Sequence, residues 1–138
     1  MRPVLVDASA MVALFDARDG AHQHYRELLR TLGQDLRLHS TWPCVVEASH
    51  LLRGPAKHAL LRWIGHGAVQ LFPMDAAELA DHAALMARYS EPPRSSMDLA
   101  DATLYSVAAQ TDIRAIMTLD VRDFSRYRLP DGQAFEIL

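Results

Sequence analysis

The chain has one cysteine, Cys44, and one lysine, Lys57, among its 138 residues. A lone cysteine excludes an internal disulfide and any cysteine-based zinc site, and it fits a reducing, cytoplasmic location. Positive charge is also short. The 14 Lys and Arg stand against 17 Asp and Glu, a net charge of −3, so no global field attracts nucleic acid and any such contact has to be local. All the basic residues but Lys57 are arginine, the better residue for bidentate phosphate contact, although a biased genome base composition gives the same skew. Glycine and proline number only 6 and 7, which excludes collagenous and low-complexity chains. No apolar run approaches membrane-spanning length, and Asp7 interrupts the amino-terminal run before a signal-peptide core forms. The expectation is a soluble, unexported protein with no membrane partner. Half the residues are hydrophobic, enough for one self-folding domain over residues 1–138.

Hydrophobic periodicity divides the chain into alternating strands and helices. Val4–Val6 reads as a strand, Asp7-Ala8-Ser9 as a polar turn and Ala10–Phe15 as a helix. A helix follows over 22–32 with Gly33 at its end, then a strand over 36–39 and an apolar helix over 44–52 that starts near Thr41 and Pro43. Gly54-Pro55 breaks the chain before a helix over 56–64, and Ala68–Phe72 reads as a strand. Asp75 suits the N-cap of a long helix to about Tyr89, and residues 90–96 form the clearest loop. A helix over 99–109, a strand over 115–118, a short helix through Phe124 and a strand over 134–138 complete the chain. No hairpin turn joins the strands, which argues for a mainly parallel sheet covered by helices on both faces.

Acids stand where such a fold builds sites. In open α/β sheets the crevice forms at the carboxyl ends of strands, the position of Asp7 and of Asp120. Asp98 and Asp101 share one face at the start of a helix, and Glu47 interrupts an apolar helix. Converging carboxylates repel one another, and a hard, oxygen-preferring cation such as Mg²⁺ or Mn²⁺ compensates them. Each acid also has a local reading: Asp7, Asp98 and Asp120 as helix caps, Glu47 as a solvated helix residue. Asp101, beyond the cap and between Ala100 and Ala102, is the hardest to explain that way.

Four segments taken together, Val-Asp-Ala-Ser at 6–9, Val-Val-Glu-Ala-Ser around Glu47, Leu-Ala-Asp-Ala-Thr-Leu at 99–104 and Thr-Leu-Asp-Val-Arg-Asp-Phe at 118–124, resemble the PIN-domain nucleases, in particular the VapC-type toxins of bacterial toxin–antitoxin pairs. The resemblance implies a Rossmann-like three-layer α/β/α fold with a mainly parallel central sheet. It implies a Mg²⁺- or Mn²⁺-dependent endoribonuclease acting on structured RNA such as tRNA or rRNA, the toxin of a type II pair neutralised by a cognate antitoxin. The site residues carried over are Asp7, Glu47, Asp101 and Asp120 as metal-binding and catalytic acids, with Ser9 steadying the site. Asp98 stands one turn before Asp101 and is open to sharing or taking its role, and Asp123, near Asp120, is open as an outer contributor. Residues 53–97 match nothing beyond their helical pattern. The alternative is a catalytically silent PIN-like RNA-binding or regulatory module.

Other signals are weaker. The seven histidines form no zinc pattern and read mostly as surface residues. His50 lies one turn from Glu47, Arg122, Arg126 and Arg128 form either an RNA-phosphate contact or a solvated face, and Trp42, Trp63, Tyr89 and Tyr105 read as core more readily than as base-stacking platforms. A haloacid-dehalogenase-like phosphatase needs an acid at Ser9, and a receiver domain needs a lysine after a later strand, whereas Lys57 falls in a helix. The resemblance, together with apolar residues expected on the surface of the helices between 22 and 64, implies a homodimer.

Overall fold

The computed structural model describes residues 1–93 and 96–138; of the expected 90–96 loop, Arg94 and Ser95 lie outside the described residues. Five strands, β1 (Arg2–Val6), β2 (Leu36–Ser40), β3 (Val69–Leu71), β4 (Ala115–Met117) and β5 (Glu136–Ile137), form one sheet in the order β3-β2-β1-β4-β5. Every pairing is parallel. Val4, Leu5 and Val6 are completely buried, because a central parallel strand covered by helices has no solvent face and therefore needs an unbroken apolar run.

Seven helices are present among the described residues: α1 (Ala8–Phe15), α2 (His22–Leu32), α3 (Trp42–Leu51), α4 (Gly54–Gly65), α5 (Leu79–Arg88), α6 (Leu99–Thr111) and α7 (Val121–Arg126). The chain runs outward from β1 to β3, then crosses back to β4 and β5. With right-handed crossovers this sets α1–α4 on one face and α5–α7 on the other. α1 packs on α2, α3 and α4, and α5 on α6, while α3 also meets α6 beside the cleft. This is the expected Rossmann-like α/β/α architecture. α6 is the most enclosed helix, with eight buried residues. An aromatic cluster closes the far end, where Phe124 meets Tyr127 and Phe135 edge-on at 5.1 and 5.2 Å. Truncating a side chain so enclosed costs about 3–5 kcal/mol.

Local details depart from the sequence reading. Gly33 does not terminate α2 in a left-handed turn: its φ is −57° and it enters a 3₁₀ turn, Gly33–Asp35, that leads straight into β2. Asp75 caps a 3₁₀ turn, Ala76–Glu78, through a capping box with Glu78, and α5 begins only at Leu79. Gly67 turns the chain into β3 at φ +95°, a conformation that a side chain resists. Trp42 is not core: as the first residue of α3 it is 58% exposed, because α3 buries Cys44, Val45 and Ala48 instead. His39 and His82 are buried rather than on the surface, and the His39 ring lies 5.2 Å from that of Phe72.

Candidate active site

The strand order reverses between β1 and β4, so the crevice opens where these two strands end. The Asp7 amide extends the ladder to the Met117 carbonyl at 3.1 Å, which fixes Asp7 against the exit of β4. Its carboxylate is the N-cap of α1 and accepts hydrogen bonds from the Ser9 amide, from Ser9 Oγ at 2.7 Å and, on its other oxygen, from Thr118 Oγ1 at 2.6 Å. Ser9 and Thr118 in turn accept the amides of Leu119 and Asp120 at 2.9 and 3.0 Å. Capping and site placement are thus compatible. Asp7 serves the helix while lining the cleft.

The opposite wall comes from α6 and α7. Asp98 caps α6 by accepting the Asp101 amide at 2.8 Å, which leaves Asp101 in the first turn, buried and aimed inward. Its Oδ2 accepts the Tyr127 hydroxyl at 2.7 Å. Asp120 is the N-cap of α7 and accepts the Asp123 amide at 3.4 Å. Oxygens of Asp101, Asp120 and Asp123 all lie within 4.8 Å of one another. With Asp7, Glu47 and Asp98 these walls enclose a cleft of about 80 Å³. Glu47 reaches it from α3 as an exposed rim residue.

The electrostatics follow from this crowding. Burial, and then the charges of Asp98, Asp7 and Asp120, push Asp101 up to about 8 despite the opposing Tyr127 hydrogen bond. Burial and the neighbouring Asp123 raise Asp120 to about 6. Burial outweighs the three donors on Asp7, so it too is raised, and Glu47 is raised by burial and by Asp98, Asp7 and Asp120. An oxygen-only donor set, closely spaced and mutually repelling, fits a hard divalent cation. Cys44 is buried behind the cleft, and burial pushes its thiol up to about 12, so it offers no thiolate.

The model of the PIN domain matches residues 4–129. The chain belongs to the PIN domain family. Ribonuclease VapC26 of Mycobacterium tuberculosis is 30% identical over 140 residues, covering 98% of this chain and 99% of the relative. The PIN domain also matches the crystal structure of VapC20 of Mycobacterium tuberculosis, a Sarcin-Ricin loop cleaving toxin, with a TM-score of 0.70 and 19% identity over 82% of this chain and 86% of that one. FitAcB from Neisseria gonorrhoeae matches with a TM-score of 0.51 and 17% identity, covering 88% and 90%.

Within this PIN domain all four acids expected from the sequence line one cleft, but the tight group is different. Asp123 joins Asp101 and Asp120 in it, while Asp7 is turned to its hydroxyl donors and Glu47 stands at the rim. His50 lies in the neighbouring groove with Trp42 and Val46. Of the arginines, Arg126 is tied to Asp123 and to the Tyr89 carbonyl, and Arg128 to the Ser125 and Tyr127 carbonyls. The sequence reading missed Thr118 and Tyr127. Thr118 was within reach, since it ends the strand that Asp120 follows. Tyr127 carried no local signal.

Proposed function

We propose that this chain is a Mg²⁺- or Mn²⁺-dependent endoribonuclease that hydrolyses RNA phosphodiester bonds as the toxin of a type II toxin–antitoxin pair. The observation that carries the reading is the convergence of Asp101, Asp120 and Asp123 at the sheet's switch point, in a chain similar along its length to a ribonuclease. When bound, the cation supplies positive charge that polarises a phosphodiester and acidifies water. The three carboxylates would hold it, with Asp7 and Glu47 as further oxygen donors in the same cleft.

The rest of the chemistry belongs to the protein. Glu47, on the rim and raised in pKa, would take the proton of the attacking water and pass it to solvent, while the departing oxygen takes up a proton from solvent. Asp7, gripped by Ser9 and Thr118, holds the β1 wall rigid so that the cleft keeps its shape as the phosphate enters. No covalent nucleophile is required, and the buried thiol of Cys44 is unsuited to the role.

The proposal extends to one catalytic domain over residues 1–138, acting in the cytoplasm on a folded RNA such as tRNA or rRNA. Leu32, Trp42, Val46, Leu51 and Leu61 are large apolar side chains left exposed, and they support a homodimer and a cognate antitoxin as partners. The test is RNA cleavage by the purified protein with Mg²⁺, Mn²⁺ or EDTA, and by Asp101→Asn. Cleavage should need the cation and the aspartate. Full activity in EDTA overturns the reading, and RNA binding without cleavage under every condition identifies a silent module. Coexpression followed by light scattering tests the partners, a stable, non-toxic monomer being the adverse result.

A further inference from the structure

We propose that Tyr127 is a positioning residue, its hydroxyl holding the Asp101 carboxylate in the orientation in which the acid group takes up a divalent cation. The proposal rests on the cation-dependent reading above and adds to it a residue outside the acids. Tyr127 follows α7 directly and is completely buried. Tyr25 donates to the Thr118 carbonyl, and Tyr89 and Tyr105 donate to that of Arg128. Tyr127 is the tyrosine that reaches a cleft carboxylate, across 26 residues of sequence.

The ring is fixed before the hydroxyl acts. Tyr89 and Phe124 meet it edge-on at 5.0 and 5.1 Å, and the Arg126 guanidinium lies 5.3 Å from its centre. The same guanidinium donates to Asp123 at 3.2 Å and to the Tyr89 carbonyl at 2.9 Å. Two of the three clustered carboxylates are therefore tied to one rigid aromatic unit by adjacent residues. A carboxylate at a helix start otherwise rotates freely about its last torsion, and a donor on Oδ2 removes that freedom. As packing alone the hydroxyl is a poor choice, because phenylalanine fills the same space with no polar group to satisfy. Outer donors of this kind orient the groups that hold a cation, and their loss commonly weakens binding 10- to 100-fold.

The experiment is Mn²⁺ titration calorimetry on the parent, Tyr127→Phe and Phe135→Leu, at a temperature where all three are folded. Tyr127→Phe should weaken Mn²⁺ binding about tenfold or more, whereas Phe135→Leu, which loosens the core beyond Phe124 and meets neither the Tyr127 ring nor Asp101, should lower the melting temperature and leave affinity within about twofold. Parental affinity in Tyr127→Phe, or an equal loss in Phe135→Leu, overturns the proposal. No Mn²⁺ binding by the parent overturns the cation reading itself and the proposal with it. Should Tyr127→Phe not fold, the parent carries the test: saturation with Mg²⁺ should perturb the near-ultraviolet tyrosine absorption through Tyr127, and an unchanged spectrum in a protein that binds Mg²⁺ overturns the assignment.

Discussion

The two walls of the cleft handle the same problem, a buried carboxylate, in opposite ways. At the end of β1, Asp7 receives three hydrogen bonds from Ser9 and Thr118, so its oxygens are partnered by the protein even though burial still raises its pKa. Across the gap, Asp101, Asp120 and Asp123 face one another with one tyrosine and one arginine behind them. The first wall is complete as a piece of structure. The second carries buried carboxylates that also repel one another, and a cation relieves both costs. A wall with satisfied oxygens sets shape, and a wall with crowded ones supplies affinity.

Replacing an acid of the second wall should therefore have the largest effect. Asp101→Asn should reduce RNA cleavage at least about a hundredfold and abolish the rise in melting temperature that Mn²⁺ gives the parent. Undiminished Mn²⁺ stabilisation in that variant would make the two walls equivalent. The burial of Asp101, with the repulsion of its neighbours added, should also appear as a pH dependence without metal. Asp101 binds its proton more tightly when folded, at about 8 against 3.8, so between those values the native state holds more protons and stability falls as pH rises. The cost is absent below the lower value and complete above the upper one, on the order of a few kcal/mol. Melting curves from pH 4 to 9 in EDTA should slope downward for the parent and much less for Asp101→Asn; parallel curves would contradict it.

The first wall should respond in stability before affinity. Thr118→Val removes a buried donor from Asp7 and should cost about 1–3 kcal/mol, several degrees of melting temperature for a chain of this size, with Mn²⁺ affinity changed far less than in Asp101→Asn. A collapse of Mn²⁺ affinity in Thr118→Val would make Asp7 a principal holder of the cation and not only a further donor. Asp98→Ala should have the smallest effect, about 1 kcal/mol for the lost α6 cap, with cleavage reduced much less than by Asp101→Ala. The reverse order in one cleavage assay would move the site by a helical turn.

Much of this was legible in the residues. Val4–Val6 followed by Asp7 announced a buried strand ending in an acid, and the alanines flanking Asp101 marked a carboxylate beyond its cap. The caps at Asp7, Asp98 and Asp120 were readable because they depend on neighbours two or three positions away, whereas the end of α2 and the start of α5 were not. Trp42 was misleading, since apolar type does not say which face of α3 turns inward; it is 58% exposed while Ala48 is fully buried. Asp123 looked like an outer residue because its partner Asp101 lies on a different helix.

The sequence by itself determined the alternation of strands and helices and the placing of Asp7 and Asp120 at strand ends, because each follows from local periodicity and short-range capping. Only the tertiary structure decided which carboxylates crowd together and which are answered. Thr118 reaches Asp7 across 111 residues and Tyr127 reaches Asp101 across 26. The direction of a carboxylate is set by the donor that lies nearest in space, and packing alone brings that donor there.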